Sequence, residues 1–300
     1  MGHLYGTATY VDGLANEDRG GEDGIIVVPE WRTHLLRRSV DRYAGVYDAI
    51  GPYPYCPLPA DCDLSGGLAR LATAGLVSAV LIPDPLMGPS QEQAAQHFEV
   101  CRPFKTHYLV DQITRPYEPT KHHRYEIRRG QARCRIEIVP LRNHLPQWSD
   151  LYAGLIERRD ISGMAAFSTA YFEVLAADRD LVTFAAWMGD RLVGMGLWYP
   201  WEGVCTNHLL AVSAEGYANG ASYALYDAAI GHFSGQVLNL GGGAGLGDGA
   251  GGLADFKRGF ANDQVTSFIY GAILNKDRYR QLSPKANSTE YFPAYRAPLA

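Results

Sequence analysis

The sequence is poor in cysteine, and its cysteines follow no metal-binding or disulfide pattern. The 300 residues include five of them, an odd number. They lie at irregular intervals, with no CxxC pair: Cys56, Cys62, Cys101, Cys134 and Cys205. This spacing predicts neither a disulfide framework nor a zinc knuckle, although Cys56 and Cys62 flank a proline-rich loop and could meet there. An HExxH motif is absent too, so we predict no metal site.

Long apolar runs are also missing. No stretch reaches the roughly 18 uninterrupted apolar residues of a membrane helix. The N-terminus, Met-Gly-His-Leu-Tyr-Gly, has neither the basic nor the apolar region of a signal peptide. These absences predict a cytoplasmic protein.

Nucleotide-binding and nucleophile motifs are lacking as well. The chain has no Gly-Lys-Ser/Thr phosphate loop and no Ser-His-Asp order around a nucleophile elbow. The spacing Gly247-x-Gly249-x-x-Gly252 fits a dinucleotide fingerprint by composition alone. We therefore predict no cofactor.

The composition itself is that of an ordinary globular protein, with 47% hydrophobic and 20% charged residues and a formal net charge of −5. A chain of 300 residues forms one large or two ordinary domains. Strand and helix patterns alternate along it, which predicts the α/β class. In the first part we predict strands at 24–29, 76–83 and 105–111 and helices at 31–47, 65–74 and 91–99. Residues 1–24 and 48–64 are predicted loops.

The second part carries more elements. Helices are predicted from Thr120 onward and at 145–158, 170–177 and 220–233. Strands are predicted at 134–140, 181–188, 191–199, 204–212, 237–240 and 265–274. Gly189-Asp190 between two of these strands is a strong hairpin signal.

One stretch of this acidic protein is strongly basic. Residues 115–135 hold seven arginines and lysines against two glutamates, a local excess of five positive charges. On the helix that begins after Thr120, Lys121, Arg124 and Arg128 share one face. This stripe fits a phosphate backbone or a phosphorylated ligand, and it equally fits a solvated helix face.

A glycine run from Gly241 to Gly252 follows the 237–240 strand and ends in Asp255-Phe256-Lys257-Arg258. So much glycine indicates positive φ angles, close approach to a ligand, or mobility. A lysine fixed after such a loop is well placed to meet negative charge. By itself the run is equally a surface loop with a solvated Lys-Arg pair.

The order of elements in the second half resembles the GNAT-type N-acetyltransferase fold, and its motifs resemble the Fem family of aminoacyl-tRNA-dependent peptidyltransferases. The resemblance is best over residues 115–275. It is carried by these elements: Lys121-x-x-Arg124-x-x-Ile127-Arg128-Arg129, Glu157-Arg158, Tyr171-Phe172, the Gly189-Asp190 hairpin, Ala221 to Asp227, Leu238-Asn-Leu-Gly-Gly-Gly and Leu253-x-x-Phe256-Lys257-x-x-Phe260. In the first half it rests on Tyr53-Pro-Tyr-Cys-Pro-Leu58 and His107-Tyr-Leu-Val-Asp111.

The resemblance implies two GNAT-like subdomains, each a mixed sheet flanked by helices: residues 1–115 with 276–300, and residues 116–275. It also implies an enzyme that moves an amino acid from its tRNA to the amine of a peptide acceptor, forming a peptide bond. Such an acceptor is carrier-protein-bound or nucleoside-linked, or a cell-wall precursor. Shorter relatives build peptide antibiotics, and a chain of this length is similar to the group that takes alanine from tRNA in uridyl peptide assembly.

Site residues follow from the resemblance and from chemistry together. Lys257 matches the family's lysine and suits stabilisation of a developing oxyanion or binding of a donor phosphate. Phe256 stacks on the terminal base or belongs to the core. Asp111, at a strand end, is a candidate general base or else a strand-end cap. The remaining binding candidates are Lys121, Arg124, Arg128, Tyr53, Tyr55, Gly241, Gly242 and Gly243.

Two alternatives stay open. Where acetyl-CoA-dependent relatives place Arg/Gln-x-x-Gly-x-Gly/Ala, this chain reads Tyr217-Ala-Asn-Gly-Ala-Ser222, which disfavours a CoA site. A CoA-dependent N-acyltransferase with a degenerate loop is the first alternative. A non-catalytic GNAT-like binding protein is the second. Lone histidines (His107, His122, His123 and His208) are further, weaker candidates for proton transfer.

Overall fold

A computed structural model describes residues 2–15, 24–40, 45–243, 251–283 and 291–297. The strands are β1 (Gly24–Val28), β2 (Thr33–Ser39), β3 (Tyr47–Ile50), β4 (Ser78–Leu81), β5 (Val100–Asp111), β6 (Arg135–Ile138), β7 (Val182–Met188), β8 (Arg191–Trp201), β9 (Val204–Val212), β10 (Val237–Asn239) and β11 (Asp263–Ile273). The helices are α1 (Ala8–Gly13), α2 (Leu64–Thr73), α3 (Gln91–Ala94), α4 (Lys121–Gln131), α5 (Leu145–Arg159), α6 (Thr169–Ala177), α7 (Ala214–Ala218), α8 (Ala221–His232), α9 (Gly252–Arg258) and α10 (Lys276–Leu282).

The chain divides into two compact units, residues 1–104 with 266–300 and residues 105–265. The chain passes from one unit to the other within β5 and again within β11. The boundaries expected from the sequence, after residues 115 and 275, lie just beyond the ends of these two strands.

The first unit holds a mixed sheet in the order β1-β2-β3-β4-β11. β3 and β4 are parallel, and the other pairs are antiparallel. Trp31 anchors the core beneath α2: its indole nitrogen donates to the carbonyl of Asp63, the residue that caps α2. Gly67 lets the helix come this close, because a Cβ there would lie 2.1 Å from the indole ring.

The second unit holds a mixed sheet in the order β5-β10-β9-β8-β7-β6. β10 runs parallel to β9 and antiparallel to β5, and the remaining pairs are antiparallel. Helix α8 buries Leu225, Ala229 and Ile230 in the core that covers this sheet. Helices accompany the strands in each unit, so the predicted α/β class, with mixed strand pairing flanked by helices, is confirmed.

Local signals explain the elements that were predicted correctly. Thr120 caps α4 through its hydroxyl, which accepts from the backbone N–H of His123. Gly189 takes a φ of 59° in the β7–β8 turn, the conformation that such a turn requires. Gly75 takes a φ of 79° just after α2, as a C-terminal glycine does.

The helix predicted over 31–47 is wrong. The segment instead forms β2, which pairs with both β1 and β3. Leu35 and Leu36 are both buried, which shows that β2 is covered on two faces; apolar residues on both faces of a strand imitate helical spacing. Tyr43, part of the helical pattern, lies outside the described residues. The predicted loops at 1–24 and 48–64 also contain short elements, namely α1 and the greater part of β3.

All five cysteines are free thiols, and three of them, Cys56, Cys134 and Cys205, are buried. Within the part of the chain that the structure describes, no helix is long and apolar enough to cross a membrane.

Candidate functional site

A buried lysine lies at the centre of the second unit's candidate site. Lys257, in the last turn of α9, is only 8% exposed. Its Nζ donates a hydrogen bond of 2.7 Å to the carbonyl of Gly242, just after β10. The glycine run thus contacts the lysine directly at its first residues. Residues 244–250, in the middle of the glycine run, lie outside the described residues.

Two of the glycines are required for this contact. Gly241 has a φ of 77°, and a Cβ on it would lie 3.2 Å from the Lys257 Nζ. A Cβ on Gly242 would lie 3.1 Å from the side chain of Lys105. Gly241 is therefore needed for its positive φ angle. Gly242 is needed because a side chain there would crowd Lys105. Gly243 takes part through its carbonyl, which accepts from the Lys105 Nζ at 3.4 Å.

Both lysines have lowered pKa values. Burial first, and then the positive charge of Lys105, lower the pKa of Lys257 from 10.5 to about 7. Burial also lowers the pKa of Lys105. A lysine with a pKa near 7 exists in comparable amounts as amine and ammonium at neutral pH, which is the condition for proton transfer.

Next to the lysines lies a histidine with a fixed hydrogen bond. His107 Nδ1 is 3.1 Å from Asn239 Oδ1, which also accepts the backbone N–H of Gly241. Because that oxygen is an acceptor, His107 carries its proton on Nδ1. Burial, followed by the charge of Lys257, lowers the pKa of His107 to about 4. His107 is therefore neutral and anchors the start of the glycine run through Asn239.

Asp111 has a different environment. Its carboxylate accepts the backbone N–H groups of Ile113 and Thr114 and the Thr114 hydroxyl. These bonds, the one from the Thr114 hydroxyl first, lower the pKa of Asp111. A carboxylate already bonded in this way and made less basic is a poor proton acceptor. The geometry favours the strand-end capping role for Asp111, and its role as a general base stays a prediction.

Helix α9 is tied to the start of α4. His123 Nε2 lies 2.7 Å from the carbonyl oxygen of Phe256, to which it donates, and its Nδ1 lies 3.0 Å from the Thr120 hydroxyl. The backbone N–H of Thr120 donates to the carbonyl of Gly259. The residues on both sides of Lys257 are thus held by the capped end of α4.

Phe256 packs among protein rings. Its centroid lies 4.9 Å from those of Tyr223 and Tyr226 and 5.2 Å from that of Phe260. It remains partly exposed. This environment favours a core-flanking role, and stacking on a base stays a prediction.

The basic stripe lies where the sequence placed it. Lys121, Arg124 and Arg128 are all exposed on α4, and His123 and Ile127 are buried on the opposite face. Arg124 donates to the carbonyl of Pro119 at the helix start.

Tyr53 and Tyr55 belong to the first unit. The Tyr53 carbonyl accepts the Tyr10 hydroxyl, and the Tyr55 ring is buried against Tyr5. Asp84, an acid that the sequence did not single out, is buried beside Tyr55; burial raises its pKa, while N–H groups of the following turn oppose the rise. Tyr53 and Tyr55 thus contact other residues of the first unit, and their role in binding a substrate stays a prediction.

Sequence reasoning missed Lys105, His107 as an anchor, and Asn239. Lys105 and His107 are two apart on β5 and so share one face of that strand. Asn239 joins them because β5 and β10 pair antiparallel, with Leu109 opposite Asn239. The spacing of Lys105 and His107 was a visible signal, but the pairing of β5 with the predicted strand at 237–240 was not.

Comparisons with known proteins show a shared fold. No protein-family model matches this chain, and no curated protein sequence matches it. Among solved structures, FemX covers 93% of this chain and 94% of its own, at 13% identity and a TM-score of 0.60. The C-terminal domain of a putative lysylphosphatidylglycerol synthetase from Agrobacterium fabrum covers 91% of this chain and 89% of its own, at 13% identity and a TM-score of 0.60. L-PGS from Bacillus licheniformis covers 90% of this chain and 88% of its own, at 14% identity and a TM-score of 0.59. At such identities the likeness is one of fold, and it extends over nearly the whole of each chain.

Proposed function

We propose that this protein is an aminoacyltransferase that moves an amino acid from its tRNA ester to a free amine. The observation that carries the proposal is Lys257, a buried amine with a pKa of about 7, held against the Gly242 carbonyl. It lies in a chain with the fold of FemX, and its Phe-Lys element resembles that of the Fem family. The acceptor is the amine of a peptide, free or linked to a carrier protein or nucleoside, and alanine is the first amino acid to test.

The chemistry needs an amine without its proton and a stabilised oxyanion. As the acceptor nitrogen attacks the ester carbonyl, the C–N bond forms and the nitrogen loses a proton to the neutral Lys257 amine. Lys257 is then an ammonium beside the new oxyanion. When the C–O bond breaks, Lys257 returns the proton to the leaving ribose oxygen. Electrons and protons balance without a cofactor.

The lowered pKa of Lys257 sets the direction of the pH dependence. Below a pH of about 7 the lysine is protonated and cannot accept the proton. The rate with free enzyme, kcat/KM, is therefore expected to rise through about pH 7. If Lys257 acted only as a fixed positive charge, kcat/KM would fall through the same pH.

The packing of α8 disfavours the CoA-dependent alternative. A pyrophosphate on the α8 N-terminus would need the amides that follow Gly220. Those residues are covered: Ala221 is fully buried, and Gly220 lies against α4, with the position of a Cβ on it 3.3 Å from the Gly130 Cα. This packing supports the tRNA-dependent proposal over the CoA-dependent one.

The experiment is a transfer assay with a mixture of charged tRNAs and a panel of peptide amines, followed by mass spectrometry of the products. Amide product that disappears after ribonuclease treatment supports the proposal. Full activity after ribonuclease, or product with acetyl-CoA in place of tRNA, contradicts it. Binding of an acceptor without turnover by any donor would indicate the non-catalytic alternative.

The Lys257→Met variant tests the site. Methionine keeps the length and apolar stem but cannot transfer a proton, and we expect turnover to fall by at least roughly a hundredfold. Lys276→Met, an exposed lysine on α10, is the matched control and should retain full activity. Unchanged turnover in Lys257→Met would remove the assignment of Lys257.

A further inference from the structure

The outer face of α4 carries positive charge and no acid. Lys121, Arg124 and Arg128 lie at i, i+3 and i+7, so the helix rise places them within about 10 Å along one line. All three are exposed. The one acid within α4, Glu126, lies off this face and is paired with Arg129 at 2.6 Å. The face thus presents three cations in a row without compensation from its own helix.

The neighbouring arginines are bound to protein and do not belong to this row. Arg129 donates to the carbonyl of Ala218 at the end of α7. Arg133 donates to the Asn219 side chain at 3.0 Å. These contacts fix α4 against the α7–α8 connection. Arg124 in the outer row also donates to a carbonyl, that of Pro119 at its own helix start, but this hydrogen bond uses one of its five N–H groups. The outer row therefore keeps its charge and most of its donors for a ligand.

Exposed aromatic rings flank the row. Tyr125 is 59% exposed on α4, and Tyr217 is 67% exposed on α7. Arg129, one turn beyond Tyr125, contacts Ala218, the residue after Tyr217, so the two rings lie on adjoining surfaces. Next to a row of cations they match the stacking platforms of proteins that bind single-stranded nucleic acid.

We infer that this surface, formed by Lys121, Arg124, Arg128, Tyr125 and Tyr217, binds the unpaired 3′ end of the donor RNA. The three cations contact successive phosphates of one strand, and the two tyrosines stack on bases. The inference rests on the proposed function for the identity of the RNA, but not for the binding itself.

The position of the surface agrees with this role. Helix α4 begins at Thr120, whose backbone N–H donates to Gly259, and His123 donates to Phe256. These hydrogen bonds join the RNA-binding helix to the helix that carries Lys257. RNA held along α4 therefore has a defined register relative to the lysine.

Two other partners would use the same charges differently. Base-paired RNA offers phosphates but no open base faces, so the tyrosines would contribute little. An anionic membrane would attract the cations, and it would bind by charge and apolar insertion without any need for a nucleic acid. The paired exposed rings favour the unpaired strand.

The test measures binding by fluorescence anisotropy, with the full chain and an uncharged RNA hairpin that ends in the unpaired 3′ sequence of tRNA. A blunt hairpin of the same stem and vesicles containing phosphatidylglycerol are the comparison probes. We expect the overhang hairpin to bind about tenfold more tightly than the blunt one. Equal affinity for the two hairpins, or vesicle binding without RNA binding, would overturn the inference.

Variants assign the contacts. Tyr125→Ala and Tyr217→Ala should each weaken binding of the overhang hairpin about tenfold, and the corresponding phenylalanine variants should restore it because stacking needs only the ring. The triple variant Lys121→Gln, Arg124→Gln, Arg128→Gln should reduce the slope of log affinity against log salt by about 2. Arg159→Gln, an exposed arginine at the end of α5, should leave affinity unchanged.

The outcomes separate the two proposals. If overhang-dependent binding with tyrosine rescue is found while no amino acid is transferred, the surface stands and the transferase proposal fails. If transfer occurs and the tyrosine and triple variants leave both RNA affinity and KM for charged tRNA unchanged, the surface assignment fails and the transferase proposal stands.

Discussion

At the scale of single residues, Lys257 is the most unusual group in the described part of the second unit. A buried ammonium is unfavourable, and its cost appears in the pKa of about 7. In the folded protein the lysine loses its proton above pH 7, while in the unfolded chain it keeps the proton up to about 10.5. The cost to stability is therefore full below pH 7 and is relieved as the pH rises from about 7 to 10.5.

A first prediction follows for Lys257→Met, which removes this cost. The free energy of unfolding of the variant should exceed that of the wild type, and the difference should be largest below pH 7. The advantage should shrink by about 1.4 kcal/mol per pH unit across the window from 7 to 10. Urea unfolding at a series of pH values measures it, with Lys276→Met as the exposed control. A difference that does not change with pH would show that Lys257 is not buried as an amine.

His123 and Gly259 form a second residue-scale contact, and it is tight. A Cβ on Gly259 would lie 1.9–2.3 Å from ring atoms of His123. Gly259→Ala must therefore displace the ring that holds the Phe256 carbonyl, and we expect it to cost about 1–3 kcal/mol of stability and to lower turnover. In the double variant His123→Ala, Gly259→Ala the clash is gone. A double-mutant cycle by urea unfolding should show coupling above about 1 kcal/mol; additive costs would contradict the contact.

At the scale of elements, α4 and α8 meet through two glycines. A Cβ on Gly130 would lie 2.4 Å from the carbonyl oxygen of Gly220. Alanine is better than glycine in a helix by about 1 kcal/mol, but this backbone atom cannot move aside, so the clash wins. We predict that Gly130→Ala lowers the free energy of unfolding by about 1–3 kcal/mol.

Gly231 in α8 provides the matched control for that prediction. A Cβ there would meet nothing within 4 Å, so Gly231→Ala should stabilise the protein by about 0.5–1 kcal/mol. Urea unfolding compares the two variants. Stabilisation by both would mean that the α4–α8 contact is looser than the structure shows, and RNA affinity should then also be insensitive to Gly130→Ala.

Elements with a local cause were predictable from the sequence. The Gly189-Asp190 turn and the Thr120 cap both depend on residues within a few positions, and both are present. Strand β2 was not predictable, because Leu35 and Leu36 on its two faces are both buried and the apolar pattern loses its alternation. The same holds at the site. Lys257 follows from a local motif, whereas Lys105 and Asn239 reach it only through strand pairing.

At the scale of the whole chain, the first unit is built from both ends of the sequence. A fully buried carboxylate, Asp48 on β3, joins them. It pairs with Arg38 at 3.1 Å and with Arg296 at 2.6 Å, and it accepts the Tyr295 hydroxyl. Arg296 also donates to the carbonyl of Ser39. The short C-terminal segment 291–297 is therefore held to β2 and β3 by a charge-assisted network.

The last prediction concerns this network. Arg296→Met leaves Asp48 with one arginine instead of two, and removing a partner from a buried ion pair is costly because the remaining charge cannot return to water. We expect a loss of about 3 kcal/mol in the free energy of unfolding and faster proteolysis within the C-terminal segment. Arg280→Met, whose pair with Asp277 is exposed on both sides, should change neither. If Arg296→Met left both stability and the cleavage rate unchanged, the contacts of Phe292, Ala294 and Tyr295 with Tyr279 would be enough to hold the segment. The ion pair of Arg296 would then have no part in joining the two ends of the chain.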